Sequence, residues 1–186
     1  MKKKTKNMIL VSIFAALTAV GGFLTIPIPP VPFTLQTFFV KLSGLFLGGN
    51  LAFLSQIIYL ILGLIGVPIF TQGGGIHYIF KPTFGYLLSF PICAYVTGKL
   101  IERTRKDHET FGQYFAIFSI DSIINYAVGL PYLYIILNYV NNINMSISQV
   151  FVTGCLIFIP WDIVKILMSA WIAKKINKLD RNHLFK

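Results

Sequence analysis

Charge is scarce in this chain: 12% of its 186 residues are Asp, Glu, Lys or Arg, against about 25% in a typical soluble domain. Acidic residues are scarcest, at six. A water-soluble fold would lack the polar material to cover its surface. Cysteine is also rare, and Cys93 and Cys155 both sit inside apolar runs, which excludes a disulfide framework and reads as small buried hydrophobes. His77 has no companion at ligand spacing, so no metal site is expected. No G-x-x-x-x-G-K-[ST] phosphate loop, H-E-x-x-H helix or G-x-S-x-G elbow occurs. ATP hydrolysis and proteolysis therefore have no visible machinery, and the chain does not read as an enzyme. If it takes part in transport driven by ATP, another subunit supplies the engine.

What the sequence has in abundance is apolar length. Hydrophobic residues make up 55% of the chain, and uninterrupted runs lie near 8–26, 34–48, 51–66, 78–101, 111–137 and 148–174. With about 20 apolar residues needed per span, the expectation is an all-α integral membrane protein. It is one domain over residues 1–186, a bundle of six transmembrane helices in the cell membrane. The first run follows lysines and contains Ala19-Val20-Gly21, a passable signal-peptidase site. Its apolar stretch is long for a signal peptide and five more follow, so it reads as a retained span. The second and third runs almost touch at Gly48-Gly49-Asn50, which predicts a tight helical hairpin.

The net charge of +10 matters through its placement. Most of the basic residues fall in three clusters: Lys2, Lys3, Lys4 and Lys6; Lys99, Arg103, Arg105 and Lys106; and Lys174, Lys175, Lys178, Arg181 and Lys186. None is interleaved with stacking aromatics, so nucleic acid is not an expected partner. Six spans with the first cluster inside put all three clusters inside, as the positive-inside rule requires. Both termini are thus expected in the cytoplasm. The opposite connections, near 27–33, 67–77 and 138–147, contain no Lys or Arg. One carries Pro27, Pro29, Pro30 and Pro32, another Gly73, Gly74 and Gly75. They are either ordinary helix breakers or a stiff and a hinged flap over the outer mouth.

Five charges remain at membrane depth: Lys41, Lys81, Asp121, Asp162 and Lys165. Each costs about 2.5–3.5 kcal/mol to insert and needs a partner or a role. Asp162 and Lys165 stand three apart in the sixth run and share one helix face just after Pro160. They form either a structural ion pair or the polar pole of a ligand site; the second is preferred, because apolar packing could replace a mere strut without loss. Lys81, beside His77, Tyr78 and Tyr86, either snorkels or meets a ligand carboxylate. Lys41 reads as a snorkelling or helix-contact residue. Asp121, Asn125 and Gly129 form a stripe that faces protein rather than lipid. On the first run, Ser12, Ala16 and the offset pair Ala15, Ala19 are small residues four apart. They suit either docking of another helix or packing within the bundle.

Four segments are familiar in this order: Pro30-Val31-Pro32-Phe33-Thr34-Leu35-Gln36; Gly73–Gly75 leading to Pro82-Thr83-Phe84-Gly85-Tyr86-Leu87; Tyr126-Ala127-Val128-Gly129-Leu130-Pro131-Tyr132-Leu133; and Pro160-Trp161-Asp162-Ile163-Val164-Lys165. Together they resemble the BioY family, the substrate-binding S components of energy-coupling-factor biotin transporters. The resemblance implies a six-helix S component that captures biotin from outside with high affinity. It implies partnership with a transmembrane coupling protein and two cytoplasmic ATPases, docked through small residues of the first helix that Ser12, Ala15, Ala16 and Ala19 match. Biotin is then the ligand and no cofactor is needed. The residues expected at the substrate are Thr34, Gln36, Gly74, Gly75, His77, Lys81, Tyr86, Asn125, Trp161, Asp162 and Lys165. Asp162 suits a ureido N–H, Tyr86 and Trp161 suit the rings, and either Lys165 or Lys81 suits the valerate carboxylate. Where the family usually has Gly on both sides of its Pro-Thr pair, this chain has Lys81 and Phe84. Rival readings are an S component for another vitamin, an intramembrane enzyme and a structural membrane subunit.

Overall fold

The computed structural model describes residues 3–104 and 110–180. Lys2, Arg105, Lys106, Asp107, Arg181 and Lys186 lie outside those residues. The described chain is almost entirely helical: α1 (Lys3–Phe23), α2 (Gln36–Leu47), α3 (Gly49–Leu64), α4 (Phe84–Thr104), α5 (Phe111–Ile135), α6 (Ile147–Gly154) and α7 (Ile159–Asp180). A two-stranded antiparallel hairpin, β1 (Thr25–Ile26) with β2 (Phe33–Thr34), joins α1 to α2. Consecutive spans run antiparallel. Phe14 meets Phe46 across α1 and α2, Tyr59 meets Phe90 across α3 and α4, and Asn125 meets Ser89 across α5 and α4. The start of α1 and the end of α7 therefore share one end of the bundle.

Among the described residues there are six apolar helical stretches, and four of them, Lys4–Phe23, Phe84–Thr104, Phe111–Val140 and Ile147–Asn177, are long and apolar enough to cross a membrane. The other two are short. Helices α2 and α3 have 12 and 16 residues, about 18 and 24 Å at 1.5 Å per residue, below the roughly 30 Å hydrocarbon thickness. They form the expected hairpin. Gly48 turns it with φ +73°, a conformation open to glycine, and Glu102 Oε1 accepts the Gly49 N–H at 2.9 Å. A Cβ on Gly98 would fall on the Gly48–Gly49 backbone, so α4 approaches the turn without a side chain between them.

Two boundaries differ from the periodic reading. The fourth span starts at Phe84 rather than near 78, because Pro82 drives Lys81 into extended backbone (φ −81°, ψ 139°) after a 3₁₀ turn at Ile76–Phe80. The sixth run is not one helix. It breaks at Cys155 (φ −134°, ψ −62°), passes through a 3₁₀ turn at Leu156–Phe158 and restarts as α7. Pro160 sits in the first turn of α7, where a missing N–H is harmless. Capping boxes Thr110/Gln113 and Ser146/Gln149 start α5 and α6. The end of α5 widens into a π-helical turn at Ile136–Val140.

Apolar side chains of α1 to α4, including Ala15, Ala19, Val40, Ala52 and Phe90, form one core. A second, from Val31, Phe33, Tyr86, Leu133 and Phe158, closes the end that carries the hairpin. Ala15 and Ala19 are thus buried inside the bundle, at 5% and 8% exposure. Of the two alternatives left open by the sequence, these two residues take packing within the bundle, while Ser12 and Ala16 are exposed.

Candidate substrate-binding site

At the hairpin end, α2, α4, α5 and α7 surround a cavity with about 550 Å³ of empty space, its open mouth included. Its wall is largely apolar and aromatic, from Val31, Pro32, Tyr86, Leu87, Phe90, Tyr126 and Phe158. Two connections reach it: the proline-rich hairpin supplies Val31, Pro32 and Thr34, and the glycine-bearing connection supplies Thr71, Tyr78 and Thr83.

The break before α7 puts Asp162 in the first turn of that helix, where the positive end of the helix dipole favours an anion. Lys165 follows one turn later with Nζ 2.5 Å from Asp162 Oδ1, and both residues are buried. Tyr126 of α5 donates its hydroxyl to the other carboxylate oxygen. Lys165 Nζ also donates to Thr37 Oγ1 at 2.7 Å and reaches the Thr34 carbonyl at 3.5 Å. Each charge is therefore paired and hydrogen-bonded, which is the condition for keeping an ion pair at this depth.

Gln36 opens α2 with its side chain buried against the cavity. Its amide nitrogen donates to Tyr59 Oη at 2.5 Å, and its carbonyl oxygen accepts from Thr34 and Thr71 at 3.2 and 3.4 Å. Asn125 Nδ2 donates to Ser89 Oγ at 2.6 Å and to the Tyr86 carbonyl at 3.3 Å. The Tyr86 ring lies over Gly129, where a Cβ would fall on the ring. Its hydroxyl donates to the Gly154 carbonyl at 2.7 Å, which engages a group freed by the break between α6 and α7.

Of the residues singled out from sequence, Thr34, Gln36, Tyr86, Asn125, Asp162 and Lys165 line one cavity. Gly74, Gly75, His77, Lys81 and Trp161 do not line it. Gly75 is a loop residue at φ +105° whose N–H bonds the Gly63 carbonyl at 2.7 Å. Gly74 lies so close to the Val67 carbonyl that a Cβ would collide with it. His77 is exposed and Lys81 half-buried, two residues before the cavity-lining Thr83. Trp161 is exposed and stands edge-on to Phe33 at 6.1 Å. Lys41 does not snorkel. It is 1% exposed and pairs with Asp121 at 3.4 Å in the bundle interior, the helix-contact alternative of the sequence reading.

A model of the BioY family matches residues 1–182. The chain belongs to the BioY family. It is 44% identical over 181 residues to a probable biotin transporter BioY of Lysinibacillus sphaericus, covering 97% of this chain and 91% of that one. It is 38% identical over 176 residues to the biotin transporter BioY of Thermotoga maritima, covering 94% and 98% respectively. Its fold matches a crystal structure of the S-component for biotin from an ECF-type ABC transporter, with a TM-score of 0.81 and 26% identity over 96% of this chain and 95% of that one. This BioY-family chain is thus a membrane protein with the six-helix architecture of an S component.

Sequence reasoning missed Tyr126 and Thr37, the partners of Asp162 and Lys165. Tyr126 stands in one of the recognisable segments and adjoins Asn125, yet its spacing alone does not point it at α7. Thr37 follows Gln36, and a hydroxyl in an apolar helix gives no sign of the lysine it meets 128 residues away.

Proposed function

We propose that this chain captures biotin on the outer face of the cell membrane as a single-domain S component, and hands it on for uptake by an energy-coupling-factor transporter. The observation that carries this reading is the Tyr126–Asp162–Lys165–Thr37 set in the wall of an otherwise apolar, aromatic cavity. A carboxylate oxygen beside an ammonium complements the N–H and C=O groups of the ureido ring, and charge-assisted hydrogen bonds are strong in a dry site. Tyr86, Phe90 and Phe158 suit the apolar bicycle. Because the Lys165 ammonium is committed to Asp162 and Thr37, Lys81 together with the Tyr78 and Thr83 hydroxyls is the better match for the valerate carboxylate. Gly74, Gly75, His77 and Trp161 then shape the entrance rather than touch the rings.

The basic clusters favour cytoplasmic termini, with the hairpin and the 65–83 connection outside. Uptake then draws on a transmembrane coupling subunit and two ATPase subunits, for which this chain supplies the ligand site. The exposed face of α1 around Ser12 and Ala16 is the surface offered to the coupling subunit, since small residues allow close helix approach.

Isothermal titration of the purified protein with biotin, thiamine and riboflavin tests the reading. Saturable binding of biotin alone is the expected result. Tighter binding of another vitamin would reassign the substrate, and no binding of any of the three would sink the proposal.

A further inference from the structure

One helical turn below the cavity, on three helices at once, lies a second set of polar groups with no part in the binding scheme above. On α2, Thr37 is followed four residues on by Lys41; on α4, Ser89 by Cys93; on α5, which runs the other way, Asn125 is preceded by Asp121. The upper members hold or line the site: Thr37 bonds Lys165, and Ser89 bonds Asn125. The lower members meet around Asp121. Lys41 Nζ is 3.4 Å from Asp121 Oδ1, with exposures of 1% and 2%, and Cys93 Sγ bridges the Asp121 carbonyl at 3.4 Å and Ser89 Oγ at 3.7 Å. Neither Lys41 nor Asp121 lines the cavity.

A pair so fully buried is a poor way to gain stability, because its desolvation offsets its attraction and apolar side chains of the same size can serve as well. The best-attested use of a buried polar pair is to fix the register of one helix against another. Here that register is the height of α2 against α5. It matters because α2 is the shortest span and its first turn delivers Gln36 and Thr37, while Asn125 comes from α5. The Gln36–Tyr59 hydrogen bond ties α2 to α3 and the Lys165–Thr37 bond ties it to α7, whereas the Lys41–Asp121 ion pair ties it directly to α5.

We infer that Lys41 and Asp121 are positioning residues for the substrate site: their pair sets the height of α2 against α5 and so brings Thr37, Gln36 and Asn125 into one constellation. This inference rests on the reading of the cavity as the biotin site.

The test replaces the pair by apolar residues of similar size, Lys41→Met with Asp121→Leu, and measures biotin affinity by titration well below the melting midpoint, together with the midpoint itself. A strut would be replaced without loss of either. A positioning pair predicts a melting midpoint near the parent's, but biotin binding weaker by about tenfold, since such constellations must be held within roughly 0.5 Å. A second variant, Asp121→Glu, keeps both charges while lengthening the link by one methylene, and its melting midpoint is measured alongside. It is expected to weaken biotin binding severalfold, and it decides the matter if the double variant does not fold. Parental affinity in a folded double variant, or in Asp121→Glu, overturns the inference. Failure of the parent protein to bind biotin overturns instead the assignment of the substrate.

Discussion

Lys165 Nζ stands 2.5 Å from Asp162 Oδ1 across a single turn of α7, and both side chains are largely withdrawn from solvent. Removing either partner strands the other as a buried charge, a loss of roughly 3–5 kcal/mol where the geometry is tight. Asp162→Asn retains shape but replaces an anionic acceptor with an amide, and biotin affinity is expected to fall at least about tenfold, or ~1.4 kcal/mol. Lys165→Met is expected to weaken binding as well. The two together should restore the melting temperature without restoring affinity. A well-folded double variant that binds biotin like the parent would make the pair a strut and move the site elsewhere.

Tyr126→Phe removes the hydroxyl that donates to Asp162 while leaving the ring against the cavity. A hydrogen bond to a charged group contributes about 1.5–3 kcal/mol, so calorimetric biotin affinity should drop by at least about tenfold. An unchanged affinity would show that Lys165 alone orients the carboxylate.

Tyr86 and Gly129 act as a unit, ring over bare backbone. Tyr86→Phe leaves the Gly154 carbonyl without its donor, and a buried unsatisfied group costs about 1–3 kcal/mol. The melting temperature should fall. Gly129→Ala should push the ring off its seat and lower biotin affinity with Tyr86 intact. Parental values for both variants would mean that α5 yields to the added methyl and that the break before α7 finds another donor.

The two faces of α1 separate docking from packing. Ala16→Trp lies on the exposed face and is expected to leave biotin binding intact while reducing co-purification with the coupling subunit. Ala15→Leu enters the core and is expected to lower stability by about 1–3 kcal/mol through overpacking. Unchanged co-purification of Ala16→Trp would place the docking surface on another helix.

Orientation is checked by cysteine labelling in intact cells on a background lacking Cys93 and Cys155. Single cysteines in residues 27–33 and 138–147 should react with an impermeant reagent, and one at Asp107 should not. Reaction at Asp107 from outside would invert the topology.

The number of spans, their order and the presence of intramembrane charges follow from the sequence alone, because a bilayer admits few solutions. A stretch of apolar side chains must form a helix to satisfy its own backbone, and a lone Asp or Lys within one must find a partner. The Asp162/Lys165 pairing was legible for the further reason that both residues lie on one helix at fixed spacing. Everything that required two helices was decided by tertiary structure. Lys41 and Asp121 are 80 positions apart and each reads singly as an orphan charge; only the packing of α2 against α5 makes them a pair at 3.4 Å. Ala15 and Ala16 are neighbours of the same size, yet one faces the core and the other points outward, since a helix face acquires meaning only from what packs against it. The break at Cys155 likewise depends on distant groups: Tyr86 of α4 takes up the Gly154 carbonyl, so an apolar run that reads as one helix folds as two. Local periodicity and charge set what each segment is, while steric fit between segments sets which side chains meet at the cavity.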